Sequence, residues 1–219
     1  MSSELLLYVY DYNYSSWSMR AGLAVRQTGA KYREIPIRNE PEGFAALKQR
    51  SPSGLFPVLK HGDEWLWDSL AIGEYLAEQF PGAGLWPGDV AARAHARCMV
   101  AEMHSGFGTL RSALPMNIRR HYPGFLKIAA VRQDIARLSS MWQACLDRFG
   151  GNGPFLFGSF GLVDAFFAPV VMRFTTYDVE LAPDLAAYAQ AVREQPHVKD
   201  WVAHAALDGY QNPAYEYER

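Results

Sequence analysis

Phe56-Pro57-Val58-Leu59-Lys60-His61-Gly62-Asp63-Glu64-Trp65-Leu66-Trp67-Asp68-Ser69 is the stretch whose reading decides the fold. Two apolar runs, Pro57 to Lys60 and Glu64 to Trp67, flank His61-Gly62-Asp63, and a Gly-Asp pair between such runs predicts an antiparallel hairpin. Proline opens the first run, where its missing N–H is tolerated only at a strand's first residue or at an edge. Pro57 is either a plain strand starter or a cis-proline, and in the cis form the N–H and C=O of Phe56 could pair with an extended peptide. Asp68-Ser69 closes the second run and opens a helix. A serine N-cap beside an acid serves capping alone; otherwise the helix N-terminus holds a ligand carboxylate while Asp68 receives an ammonium group.

Working outward, Leu5 to Tyr10 is apolar and β-prone, and Trp17 to Thr28 carries helical apolar spacing at Met19, Leu23, Ala24 and Val25 before Gly29. Lys31 to Ile37 reads as a second strand, so a βαβ unit with a parallel pair is expected. Phe44 to Arg50 reads as a short helix stopped by Pro52 and Gly54, and Ser69 to Phe80 as an amphipathic one. The order is therefore β-α-β-α-β-β-α. Pro81 to Gly88 breaks both neighbours and is the linker candidate, giving domains at 1–81 and 89–219 joined by 82–88. Past it only helices are expected, near 89–118, 124–149, 162–176, 183–194 and 197–206, with a break at Gly150-Gly151-Asn152-Gly153-Pro154. No internal repeat is visible.

The chain has 219 residues, 49% hydrophobic and 20% charged, with a formal net charge of -2. That balance offers no basic footprint for nucleic acid and no polybasic membrane patch. No apolar run of about 18 residues could span a bilayer, and Met1 to Glu4 lacks a basic leader region, so a cytoplasmic protein is expected. Cys98 and Cys145 are far apart in helix-like stretches; two reduced core thiols are expected, with no metal site.

Between the first strand and first helix lies Tyr14-Ser15-Ser16-Trp17-Ser18-Met19-Arg20, a hydroxyl-rich corner at a helix N-terminus. Together with Ser51-Pro52-Ser53-Gly54-Leu55-Phe56-Pro57-Val58-Leu59, Asp68-Ser69-Leu70-Ala71-Ile72-Gly73-Glu74-Tyr75-Leu76 and Leu85-Trp86-Pro87, it gives a resemblance covering nearly the whole chain. The sequence resembles the cytosolic glutathione transferases, with an α/β thioredoxin-like N-terminal domain and an all-α C-terminal domain. The corner resembles the Ser-Ser-Cys-x-x-Arg motif of the zeta class.

The resemblance implies glutathione extended along Phe56-Pro57, its γ-glutamyl end on Asp68 and Ser69, and its thiol at the corner. Ser15 would donate a hydrogen bond to the thiolate and hold its pKa down, with Ser16 and Trp17 close enough to share that role through a hydroxyl or backbone N–H. Ser15 as a simple N-cap is compatible with this. Three departures stand out. Trp17 replaces the motif cysteine, which argues against thiol-disulfide exchange. Asp68 replaces the usual Glu or Gln. Gly161 stands where the family has a hydroxyl three residues before Asp164, which removes half of a capping box.

The second substrate is expected between the domains. His104, Phe107 and Arg111 fall at i, i+3 and i+7 of an expected helix, a face suited to an anionic or aromatic electrophile, though a solvated or dimer-facing stripe is equally ordinary. Arg173 resembles the arginine of an Arg-Phe pair with which zeta enzymes hold a substrate carboxylate. The expectation is a homodimeric glutathione transferase of detoxification type, attacking a small electrophile with peroxide reduction as a side activity. A zeta-type isomerase acting on a maleylacetoacetate-like substrate is the alternative, and a non-catalytic interaction module of the same fold is a further one.

Overall fold

The computed structural model describes residues 4–37, 45, 47, 48, 51, 53–151 and 153–217. The short helix expected at Phe44 to Arg50 lies mostly outside them.

Strand β1 (Leu5–Val9) buries Leu5, Leu7 and Val9, the period-two pattern of a strand with one face on a core, each burial worth about 2 kcal/mol. The sheet has four strands in the order β2-β1-β3-β4. β2 (Tyr32–Pro36) runs parallel to β1 with Tyr32 opposite Leu5, and β3 (Val58–His61) runs antiparallel with Leu59 opposite Leu7. β4 (Glu64–Trp67) completes the hairpin, pairing Leu66 with Leu59. At its turn Gly62 adopts φ 63°, which a residue without Cβ takes at little cost. Helix α1 (Ser16–Gln27) is the crossover that a parallel pair requires, and α2 (Ser69–Gln79) follows β4. The Phe56–Pro57 peptide is cis.

Beyond a 3₁₀ turn at Pro81–Ala83 come α3 (Val90–Ser105), α4 (Gly108–Ala113), α5 (Arg132–Phe149), α6 (Leu162–Thr176), α7 (Pro183–Glu194) and α8 (Pro196–Leu207). The last three match expectation within a residue. The single helix expected over 89–118 does not: Gly106 ends α3, and Phe107 adopts φ 59°, so α4 starts anew. The helix expected from 124 begins as 3₁₀ turns over Leu126–Val131 and becomes α-helical at Arg132.

α6 is the centre of the helical part. All of it but Thr175 is buried, as an apolar helix without a polar face must be. Asp164 in its first turn accepts the N–H of Gly161 at 3.0 Å and that of Leu156 at 3.3 Å, so the return half of the capping box persists although glycine has no hydroxyl. α1 packs against α6, α2 and α8, which locks the corner-bearing helix to both parts. The contact with α8 is close enough that a Cβ on Gly22 would lie 2.2 Å from Trp201 Cζ3. Cys145 is buried as expected and donates to Leu156 O at 3.2 Å, whereas Cys98, expected in the core, is exposed on α3.

Candidate functional site

The corner forms because β1 must hand over to α1, whose first amides lack intrahelical partners. Ser15 caps them: its Oγ accepts the N–H of Ser18 at 3.3 Å and donates to Ser18 Oγ at 2.9 Å. Ser18 Oγ also accepts the N–H of Tyr10 at 3.0 Å, tying the end of β1 to the helix. A hydroxyl has one proton, and that of Ser15 is directed at Ser18. Ser16 differs. Only 6% exposed, its Oγ accepts from Arg173 Nη2 at 3.4 Å across to α6, which leaves its own proton for another acceptor.

Trp17 extends from the corner into a cationic shell. The guanidinium carbons of Arg20 and Arg111 lie 4.5 and 4.6 Å from its ring centre, and the His104 ring meets it edge-on at 5.2 Å. Arg20, the last residue of the corner motif, is 1% exposed and also stacks 5.0 Å from Phe166. Its Nε and Nη1 are buried without a hydrogen-bond partner. Burial first, then Arg111 and Arg173, drive its pKa well below the ordinary guanidinium value, with Asp68 opposing. Burial likewise lowers Arg111, and with Arg111 nearby brings Arg173 to about 10, still protonated at neutral pH.

Arg173 donates through Nε to Leu114 O at 2.8 Å and through Nη1 to Pro169 O at 3.4 Å, so two backbone carbonyls aim its third group at Ser16. Arg111 is steadied by the His104 carbonyl at 3.1 Å and that of Met103, while its Nε is buried and unpartnered.

Asp68 caps α2, its Oδ1 accepting from Leu70 N–H at 2.7 Å and Ala71 N–H at 3.4 Å. It does so at φ 74°, a conformation that costs a non-glycine residue about 1 kcal/mol or more and that clusters at functional sites. Its Oδ2 lies 3.2 Å from His104 Nε2, so α3 reaches over to the α2 N-terminus. Burial lowers the His104 pKa, Asp68 opposes, and Arg20 and Arg111 lower it further. Ser69 Oγ and His104 Nδ1 are buried without partners.

The serine corner, Arg111 and Arg173 wall a cavity of about 390 Å³ that is also lined by Tyr10, Asp11, Tyr14, Pro115, Met116, Asn212 and Tyr215. A larger hollow of about 780 Å³, between Ile118–His121 and α6–α7, shares no residue with the corner. Ser15, Ser16, Trp17, Arg111 and Arg173 thus come together, and Asp68, Ser69 and His104 form a second cluster beside Trp17. Phe107 does not join them: the break before α4 turns it into the core, 8% exposed. Phe56 contacts the Tyr10 ring at 6.2 Å, next to the cis Pro57. Asn212 and Tyr215 carry no signal in the sequence. Among the described residues, no group of three or more His, Cys, Asp or Glu side chains could hold a metal ion, and no helix is long and apolar enough to cross a membrane.

A sheet with a crossover helix, a cis-proline strand and a capped serine corner, docked on a helical bundle, defines the glutathione-binding class of thioredoxin-like proteins. Residues 9–84 match the glutathione S-transferase N-terminal domain, and residues 127–204 match the glutathione S-transferase C-terminal domain. The chain belongs to the glutathione S-transferase family. It is 40% identical over 105 residues to a maleylacetoacetate isomerase of Rhizobium meliloti (strain 1021), covering 45% of this chain and 46% of that protein, so the match spans about half the length of that relative. It is 28% identical over 202 residues to the maleylacetoacetate isomerase of Pseudomonas aeruginosa, covering 86% of this chain and 93% of that one. A Burkholderia glutathione transferase homologue, crystallised with bound glutathione, shares the fold at a TM-score of 0.70 and 23% identity, over 93% of this chain and 98% of that one.

Proposed function

We propose that this chain is a glutathione-dependent enzyme that holds glutathione as its thiolate at the serine corner and presents it to a small electrophile. The observation that carries this is the cavity in which Ser15, Ser16 and Trp17 share walls with Arg111 and Arg173. Glutathione supplies a sulfur nucleophile whose reactive form is the thiolate. The unpartnered buried atoms of Ser69, Arg20, Arg111 and His104 suit an anionic peptide of this kind. Ser69, at the α2 N-terminus, would take the γ-glutamyl carboxylate, Asp68 the ammonium, and the Phe56–Pro57 edge the peptide backbone.

Ser16 is the better sulfur donor of the two serines, because its oxygen is engaged by Arg173 and its proton is not directed at Ser18. Ser15 then keeps the corner in shape, and Trp17 contributes at the helix N-terminus. Arg173 adds a cation behind Ser16 that favours the ionised sulfur. In this reading residues 1–81 hold glutathione, 82–88 connect, and 89–219 supply the electrophile pocket and the contacts of a homodimer in the cytoplasm.

The names of the relatives and the guanidinium groups at the cavity favour a second reading, zeta-type cis–trans isomerisation of a small unsaturated dicarboxylate. Arg111, with Nε unpartnered at the cavity, would orient a carboxylate, and Trp17 in place of the motif cysteine leaves all thiol chemistry to glutathione. Retention on immobilised glutathione with a thermal upshift tests the first step. Conjugation of a nitrohaloarene, reduction of a hydroperoxide and isomerisation of a cis-enedioate then separate the activities. Absence of both retention and thermal shift would sink the enzyme reading and leave an interaction module.

A further inference from the structure

We infer that Asn13 is a positioning residue for the serine corner: its carboxamide registers the corner against residues 114–119, the segment that also aims Arg173 at Ser16, and so sets how readily the bound sulfur ionises. The inference rests on the glutathione reading above and adds to it the group that holds the sulfur donor in place.

Residues 11–15 join β1 to α1 without regular structure, so no ladder fixes where the serines stand. Asn13, 1% exposed, supplies the missing contacts. Its Oδ1 accepts the N–H of Arg119 at 3.0 Å, its Nδ2 donates to Asn117 Oδ1 at 2.8 Å, and its carbonyl accepts the N–H of Ile118 at 3.4 Å. A backbone N–H only donates, so Arg119 fixes which end of the carboxamide faces it, and the amino end is left for Asn117. Asn117 is buried in turn, and its Nδ2 donates to Tyr215 O at 3.0 Å and to Glu216 Oε1 at 3.1 Å. A buried amide pair engaged in this way holds one arrangement, since a slip leaves polar groups unpaired at a cost of about 1–3 kcal/mol each. Trp201 Nε1, donating to Tyr12 O at 2.9 Å, anchors the same loop to α8, and Asn13 ties it to the Arg173 side.

The segment that grips Asn13 also fixes the other partner of the sulfur donor. Leu114 O accepts from Arg173 Nε at 2.8 Å, and Pro115 O accepts from the Tyr177 hydroxyl at 2.9 Å. Asn117 O accepts from Thr176 Oγ1 at 2.9 Å, so residues 114–117 follow the C-terminal turns of α6. Arg173 and the serine corner are thus both referenced to one piece of chain through buried hydrogen bonds. The bond between Arg173 Nη2 and Ser16 Oγ, at 3.4 Å, is at the long end of its range, so a small displacement of the corner breaks it. The Ser16 hydroxyl is then free to turn, and a donor that is not aimed in advance stabilises a thiolate less.

Thiolate absorbance of bound glutathione against pH tests this in the wild type, Ser16→Ala, Asn13→Ala, the double variant of the two, and Val192→Ala. Val192 is a buried residue of α7, and its truncation lowers stability through a cavity without touching the corner. Asn13→Ala should raise the ionisation midpoint by at least half of the rise in Ser16→Ala and add nothing in the Ser16→Ala background. Such non-additivity is the signature of one residue acting through another. Val192→Ala should keep the wild-type midpoint however far it lowers the melting temperature, so a merely structural role for Asn13 would look like Val192→Ala. Asn13→Ser, which keeps a polar group in the gap, gives the same readings where Asn13→Ala does not fold. A midpoint unmoved by the Asn13 variants, or a shift that adds in full to that of Ser16→Ala, overturns this inference and leaves the glutathione reading standing. A midpoint unmoved by Ser16→Ala overturns it together with the Ser16 assignment, and wild-type protein that retains no glutathione overturns the whole reading.

Discussion

Arg173 Nη2 donates to Ser16 Oγ at 3.4 Å across the contact between α6 and α1, so a side chain of α6 polarises a hydroxyl in the first turn of α1. The neighbouring Ser15 instead donates to Ser18 within its own turn. The two serines therefore separate by experiment. Ser16→Ala should raise the pKa of bound glutathione's thiol by about one unit, the value of one charge-linked hydrogen bond at about 1.4 kcal/mol. Ser15→Ala should leave that pKa nearly in place and destabilise the fold by about 1 kcal/mol through the lost cap. Thiolate absorbance against pH and urea unfolding measure the two, and the opposite pattern would return the sulfur to Ser15.

His104 Nε2 sits 3.2 Å from Asp68 Oδ2, the oxygen that the glutathione ammonium would use. Burial places the His104 pKa below the ordinary 6.5, so the ring is neutral at pH 7 and gains its charge only in acid. As pH falls the imidazolium holds Asp68 more strongly, and Arg20 and Arg111 face it from α1 and α4. Glutathione affinity should therefore weaken on acidification below pH 6.5 in the wild type. His104→Ala should remove that dependence and tighten binding at low pH about threefold, the scale of a half-exposed ion pair. Calorimetric titration across pH checks it, and parallel profiles for the two proteins would exclude the competition.

Asp164 gives a pH dependence of stability that runs in an unusual direction. Burial pushes its carboxyl from 3.8 up to about 7 despite the N–H groups of Gly161 and Leu156. A folded-state pKa above the unfolded one means that the native state binds more protons between those values. The contribution to stability is complete below pH 3.8 and is lost as pH rises through about 7. Its upper bound is about 4 kcal/mol. Asp164→Asn should flatten that slope in urea midpoints recorded from pH 4 to 8, and an unaltered slope would show that other groups carry it.

Local chemistry made much of this legible in the sequence. The hairpin from Val58 to Trp67 followed from two apolar runs around Gly62-Asp63, and α6 lies over the expected 162–176, which put Arg173 on the right helix. The His104, Phe107 and Arg111 face assumed an unbroken helix over 89–118, although Gly106 and Gly108 flank Phe107 and weaken a helix there. The left-handed Phe107 beside Gly106 changed which side chains share a surface, and only tertiary packing decides that. Asn212, Tyr215 and Glu216 were invisible for a different reason. An irregular segment has no period, and its partners at Tyr14, Asn117, Arg120 and Tyr122 lie about a hundred or more positions away in sequence.

Arg20 links stability to function with opposite signs. A guanidinium buried to 1% exposure, with Nε and Nη1 unpartnered and Arg111 and Arg173 nearby, is unfavourable in the protein without ligand. Its stacking on Trp17 and Phe166 offsets only part of that. Arg20→Met keeps the stem and the aromatic contacts while deleting the charge. It should stabilise the fold by about 1 to 3 kcal/mol, as replacement of buried charges by apolar groups of similar volume does elsewhere. The same change lowers the positive potential around Trp17, so binding of glutathione and of an anionic electrophile should weaken about tenfold, with a smaller loss for a neutral electrophile. Thermal unfolding together with paired kcat/KM values reads both effects. A destabilised Arg20→Met with equal losses for charged and neutral electrophiles would instead make Arg20 a packing residue whose charge is satisfied within the fold.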